Sequence, residues 1–261
     1  MEVHHHPQTE KKGFKGYFLE FLMLFLAVTL GFFAESFREH IVEKRREKEY
    51  MKEIIENLKY DTVRCVLNAH TNIEVCAGLD SLRKELKEAI QGKINGNALY
   101  YLAINYVGNI GHAVFNTSAI TELKNSGSLR LIQNKNLVEE IADYYERKIF
   151  AAQVFSPSTF QIDALRQTSN KFFSLLSLDD YVNSFDSISK TNYNNNYDYK
   201  NILHHSPPLS LLNKDPKELE LFYTEIVQHE MRIKQYNFWL LYCKAAAEKI
   251  IAHIRHEYNL K

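Results

Sequence analysis

The chain has 261 residues, 45% hydrophobic and 25% charged, and its 32 Lys and Arg balance 32 Asp and Glu to a formal net charge of zero. That balance speaks against a dedicated nucleic-acid binder. Nine Gly and five Pro are too few for a β-sandwich or a Rossmann domain and suit an all-α protein.

Residues 1–13 form a polar tail whose His4, His5 and His6 lack the fixed geometry a metal site requires. Residues 14–36 then read as a transmembrane helix. From Phe21 to Ala34 there is no charge, and the stretch from Phe14 meets the roughly 20 residues that cross a bilayer core. A cleaved secretory signal is the competing reading, because Ala34-Glu35-Ser36 resembles a small-x-small cleavage site. Against it, no Pro stands near that site, and Arg38, Lys44, Arg45, Arg46 and Lys48 follow directly. Glu20 is the charged group furthest inside the segment, with Lys15 and Glu35 at its two ends. It is either an intramembrane polar site or, one turn from the helix start, a headgroup contact that complements the helix dipole. Lys and Arg are more numerous on the C-terminal flank than among Lys11, Lys12 and Lys15, which favours a cytoplasmic soluble domain.

Residues 37–50 form a charged juxtamembrane neck in which Lys44, Arg45, Arg46 and Lys48 are candidate headgroup contacts. Interleaved Glu39, Glu43, Glu47 and Glu49 equally fit a solvated helix with i,i+4 pairs. A helical bundle is expected over 51–182 and 216–258. Its first seam runs Ile41, Met51, Ile55, Leu58, Thr62, Cys65, Ala69, Cys76, Leu79, Leu86 and Ile90. Lys44, Lys48, Asn72 and Arg83 interrupt it, and Gly92 ends it. Short helices follow at 98–107 and at Ser118–Asn125, the latter capped by Gly127. Leu129, Leu131 and Ile132 point inward. Asn136 and Glu139 suggest a capping box for a helix carrying Leu137, Ile141, Tyr144, Tyr145, Ile149 and Ala152. Another helix restarts at Ser156-Pro157 and runs through Phe160, Leu165, Phe172 and Leu176.

Residues 183–215 read as a polar surface loop, rich in Asn and Tyr over 192–201 and broken by Pro207-Pro208. Asp215-Pro216 then opens the best-defined helix of the soluble part. Its seam is Leu219, Phe222, Ile226, His229, Ile233, Tyr236, Leu240, Cys243, Ala247, Ile250 and Ile254, at alternating steps of three and four. It spans about 55 Å at the helical rise. This stripe is expected to pack along the 51–90 helix, giving an all-α antiparallel bundle.

The cysteines Cys65, Cys76 and Cys243 make no disulfide framework. No phosphate-binding loop, dinucleotide fingerprint, C-x-x-C or H-E-x-x-H is present. His229 on the seam reads as a core residue. The expectation is no enzyme, no cofactor and no small-molecule substrate. The function expected is a membrane-anchored scaffold, sensor or accessory subunit that contacts lipid. It would act as a homo-oligomer or with a membrane protein partner, and the alternative is an oligomeric pore using Glu20.

One resemblance adds to this. Its first part is Glu20-Phe21-Leu22 to Gly31, Ala34-Glu35-x-x-Arg38-Glu39-His40, and Lys44-Arg45-Arg46-Glu47-Lys48-Glu49-Tyr50-Met51 through Leu58-Lys59-x-Asp61. Its second part is 123–134 and Tyr144-Tyr145. Together these resemble an uncharacterised family of small single-span bacterial membrane proteins, best represented in Bacteroidota. The resemblance spans about residues 15–155. It implies an anchor-plus-helices architecture at a bacterial inner membrane and supplies no catalytic residue.

Overall fold

The structure is a computed structural model that describes residues 13–174, 176 and 209–260. The polar tail, with its three histidines, and the loop as far as residue 208 lie outside the described residues. Every regular element among the described residues is helical.

Helix α1 (Phe14–Ile90) is one unbroken helix of 77 residues, about 115 Å long at 1.5 Å per residue. No Pro interrupts it. It ends where Gly92 takes φ 87°, a left-handed turn that removes the chain from the helix axis. Between residues 14 and 46 no side chain is buried. From Glu47 onward one face is buried continuously.

Helix α7 (Pro216–Tyr258) has 43 residues. The Asp215 carboxylate accepts a hydrogen bond from the Lys217 amide at 2.9 Å, and Pro216 occupies the first turn, where its missing N–H costs nothing. Asn259 closes the helix in a left-handed conformation at φ 48°. All eleven expected seam residues of α7 are buried. The helix runs antiparallel to α1, because Glu47 meets Tyr258, Asn72 meets Asn237 and Arg83 meets Glu230.

Shorter elements complete the bundle: α2 (Gly96–Tyr106), α3 (Ser118–Asn125), a 3-10 turn (Ser128–Leu131), α4 (Lys135–Asp143), a π turn (Tyr144–Lys148), α5 (Ile149–Phe155) and α6 (Thr159–Ser169). They divide the interior into two cores. The neck-end core joins Met51, Leu58 and Cys65 to Leu123, Tyr144 and Leu240. The far core joins Leu79, Leu86 and Tyr100 to Phe172, Phe222 and Ile233. Gly78 sits where any side chain would collide with the ring of Tyr106, so this position sets how closely α2 approaches α1.

Several expectations need correction. The α1 seam runs through Met51, Ile54, Leu58, Asp61, Cys65, Ala69, Asn72, Val75, Leu79, Leu82, Leu86 and Ala89. Ile41 is exposed, and Thr62, Cys76 and Ile90 lie at the edge of the buried face. Asn72 is a fully buried seam member, where an interruption was expected. The reason is that the face is defined by period and not by polarity, and its polar members have partners elsewhere in the chain. Packing begins at Glu47, inside the charged neck. Helix α4 is capped by Asn134, whose side chain accepts from the Leu137 amide at 3.1 Å, two residues before the expected cap. Helix α6 is opened by Ser158, with Gln161 completing a capping box. Phe160 and Leu176 are exposed at 81% and 86%, so they contribute nothing to the core. Phe172 is buried, but in the turn that follows α6.

Candidate functional site

The neck is where the sequence places lipid contacts. Lys44, Arg45 and Arg46 are all exposed on α1, and Lys48 is half-buried. Between them Glu47 turns inward. Its carboxylate accepts the Tyr258 hydroxyl at 2.6 Å and the Gln133 amide at 3.0 Å. Burial first, and then the Glu47 carboxylate, push the Tyr258 phenol above its ordinary range. The C-terminal end of α7 is thereby tied to the base of the bundle, directly beside the three exposed cations. Glu20 is exposed in the second turn of α1.

Above the base, side chains of α1 and α7 grip the extended segment 107–117 by its backbone. Asp61 is fully buried. Its Oδ1 accepts the Asn116 amide at 2.7 Å, and its Oδ2 accepts the Tyr144 hydroxyl at 2.9 Å. Asn72 takes the Gly111 amide on Oδ1 at 2.8 Å and donates Nδ2 to the Gly111 carbonyl at 3.3 Å. The Tyr236 hydroxyl accepts the Ala113 amide at 2.9 Å. Buried backbone groups outside regular structure need such partners, since each one left unpaired costs about 1–3 kcal/mol. The polar seam residues therefore fasten a connection that has no ladder of its own.

Burial raises the Asp61 carboxyl to about 6, against the opposing pull of the Asn116 and Tyr144 hydrogen bonds. Burial likewise pushes the Cys65 and Cys243 thiols up to about 12, so both stay protonated and unreactive near neutral pH. In the far core, burial lowers His229 to about 4, with the Arg232 guanidinium pushing the same way. Glu230 is buried between Arg83 Nε at 2.8 Å and Lys234 Nζ at 2.6 Å, a charge compensated from two sides. Among the described residues no group of three His, Cys, Asp or Glu side chains is placed to hold a metal ion. Both oxygens of Asp61 are engaged by the protein itself, and the residue has no accessible surface, so this carboxylate serves the fold.

The lateral face of α7 differs from the rest of the surface. Trp239 stacks on Phe155 of α5, with ring centroids 5.6 Å apart. It also meets Phe238 at 5.8 Å and Tyr242 at 5.5 Å, both edge-on. Lys148 stands over the Tyr242 ring at 5.9 Å. Phe238, Tyr242 and Phe155 remain exposed at 63%, 46% and 40%. The seam residues Leu219, Phe222, Ile226, Ile233, Tyr236, Leu240, Ile250 and Ile254 all face inward. Sequence reasoning missed the Asp61 and Asn72 clasps and this aromatic cluster. Polar residues at exact three-four spacing signalled the clasps, and the Phe238-Trp239-x-x-Tyr242 run signalled the cluster.

Helix α1 is long and apolar enough to cross a membrane, and its apolar window has no buried residue, a property shared by a membrane span and by a signal segment. No family model, curated protein or solved structure matches the chain.

Proposed function

We propose that this chain is a single-span protein of a bacterial inner membrane. Its bundle acts as a scaffold, sensor or accessory subunit through protein contacts and without catalytic chemistry. The observation that carries this reading is continuity. The exposed apolar segment enters the packed core as one helix, so anchor and bundle move as one body. A signal peptide removed at the Ala34-Glu35-Ser36 site would have to be cut within that helix, which continues through Gly31 without a break and has no Pro to unwind it. In water, the exposed Phe and Leu side chains between residues 14 and 37 would make an apolar patch far larger than soluble proteins tolerate.

Lys44, Arg45 and Arg46, exposed just past the apolar segment, suit anionic headgroups. The excess of Lys and Arg on that flank favours a cytoplasmic bundle. The family resemblance supports the same location. The exposed aromatic cluster supports action through protein contacts, since Trp and Tyr dominate interface hot spots.

The test is extraction of the full-length protein from its host. Retention in the membrane pellet after an alkaline carbonate wash, with the N-terminal residues intact, is the expected result. A soluble product beginning after Ala34 would overturn the reading. Digestion of sealed inverted vesicles by an impermeant protease then assigns the side: a cytoplasmic bundle is cut and a periplasmic one is protected.

A further inference from the structure

Between α6 and α7 lies a cleft of about 260 Å³, walled by Phe160, Ala164 and Leu165 on one side and by Glu225, His229 and Arg232 on the other. His229 is only 5% exposed, yet among the described residues no group of the protein reaches its Nε2. A buried polar atom without a partner is costly, and a molecule that supplies the partner relieves that cost. We propose that this cleft binds a small aromatic carboxylate that also carries a hydroxyl, with the hydroxyl on His229 Nε2 and the carboxylate on Arg232. The site goes beyond the anchor reading and does not rest on it; it gives the sensor role a signal to detect.

Each part of the ligand answers to a residue. The Asn109 backbone carbonyl favours a proton on the His229 ring, and Nε2 is not the nitrogen that meets it. Burial keeps the ring neutral near pH 7, so Nε2 presents a lone pair, which a hydroxyl satisfies by donating. The charges acting on the ring are both cationic, Arg232 and Arg166. Arg166 is engaged by the Gly108 carbonyl at 3.1 Å and by Asp163 at 3.9 Å. Arg232 is therefore the cation placed to take a carboxylate, which its planar fork matches. His229 and Arg232 are three residues apart, neighbours on one helix face. Glu225 lies one turn to the other side of His229 and repels an anion, so the carboxylate end points toward Arg232. Phe160, an exposed ring that the core does not use, offers the ligand an aromatic surface to stack on. The volume falls just below the roughly 300–1,000 Å³ of pockets for drug-sized ligands, which limits the occupant to a single ring.

The test is calorimetric titration of the full-length protein in detergent with 3-hydroxybenzoate and 4-hydroxybenzoate, against a protein-free detergent blank. At least one isomer is expected to bind saturably, one molecule per chain. Benzoate, which lacks the donor, and the methyl ester of the binding isomer, which lacks the charge, should each bind at least about tenfold more weakly. Arg232→Gln should abolish the preference for acid over ester. Arg255→Gln, at an exposed arginine near the other end of α7, should match the parent. His229→Phe should abolish the preference for hydroxybenzoate over benzoate; if that variant does not keep the helical circular dichroism of the parent, the ligand series and Arg232→Gln decide alone. Absence of saturable binding at millimolar ligand, equal affinity for all the compounds, or an Arg232→Gln profile equal to that of Arg255→Gln would overturn the site. Failure of the anchor reading shows instead in the carbonate wash and leaves these affinities unchanged.

Discussion

The two halves of α1 are one helix under two sets of rules. Residues 14–46 are apolar all round at first and then charged all round, and none of them is buried. Residues 47–90 bury one face, and the seam residues Glu47, Asp61 and Asn72 are held by hydrogen bonds to distant segments. Helix propensity is shared, so the contrast isolates what tertiary packing adds. In the first half side chains answer to the surrounding medium. In the second they answer to Tyr106, Tyr144 and α7.

The largest effect separating the halves is expected at glycine. Gly78 lies against the Tyr106 ring, whereas a Cβ added at Gly31 would meet open space. Gly78→Val should push α2 from α1 and cost more than ~3 kcal/mol, at the upper end of overpacking penalties. Gly31→Val should leave the stability of the bundle within ~0.5 kcal/mol. Denaturant unfolding followed by circular dichroism in detergent measures both, and equal losses would mean that the Gly78 contact does not shape the fold.

Leucine truncation gives the next contrast. Leu58 is fully buried and Leu24 is 65% exposed. Leu58→Ala should cost about 2–5 kcal/mol of bundle stability, and Leu24→Ala less than ~0.5 kcal/mol. A comparable loss at Leu24 would show that the apolar half packs against the bundle after all.

These contrasts also explain what was legible in the sequence. The α7 seam was readable to the residue because its members are apolar, His229 apart, and recur at strictly alternating steps of three and four. The α1 seam was readable only in part. Asp61 and Asn72 belong to it by period, but what makes them tolerable is the segment 107–117, and no local pattern announces that. The π turn at 144–148 shifts the register so that Tyr144 and Tyr145 both turn inward, and composition gives no sign of it. Phe160 is apolar and yet faces out, because polarity does not say which side of a short helix packs. The neck cations were readable as exposed, but the inward turn of Glu47 depends on Tyr258, more than two hundred residues away.

The buried titratable groups sharpen the comparison through pH. Asp61 titrates at about 6 in the fold against 3.8 when free. Its contribution to stability is therefore full below about 3.8 and is lost as pH rises through about 6. His229 titrates at about 4 against 6.5. Its contribution is present above about 6.5 and is lost as pH falls through about 4. Each amounts to on the order of 3 kcal/mol, and between pH 4 and 6 they oppose each other. Unfolding midpoints of the parent should vary little across that window on their account. Asp61→Asn should expose the His229 slope, with stability rising as pH rises. His229→Gln should expose the opposite slope. Parallel pH profiles for the two variants would show that neither group is buried in its ionising state.

The smallest effect belongs to the neck, and it should appear in only one of two readouts. Lys44, Arg45 and Arg46 have no packing role, since all three are exposed while Glu47 between them and the core makes the inward bonds. Replacing all three by Gln removes charge and keeps helix propensity nearly level. Bundle stability should stay within ~0.5 kcal/mol. Preference for anionic over neutral bilayers should fall by about 1 kcal/mol per cation at low salt, and by less as salt screens the surface. Enrichment of phosphatidylglycerol around the reconstituted protein, read by spin-labelled lipid, measures that preference. If enrichment is unchanged, the Glu39, Glu43 and Glu49 carboxylates already neutralise the neck locally, and the cations serve the helix as i,i+4 partners. If stability falls instead, the neck belongs to the packed half of α1, and the boundary between the two halves lies nearer residue 38 than residue 47.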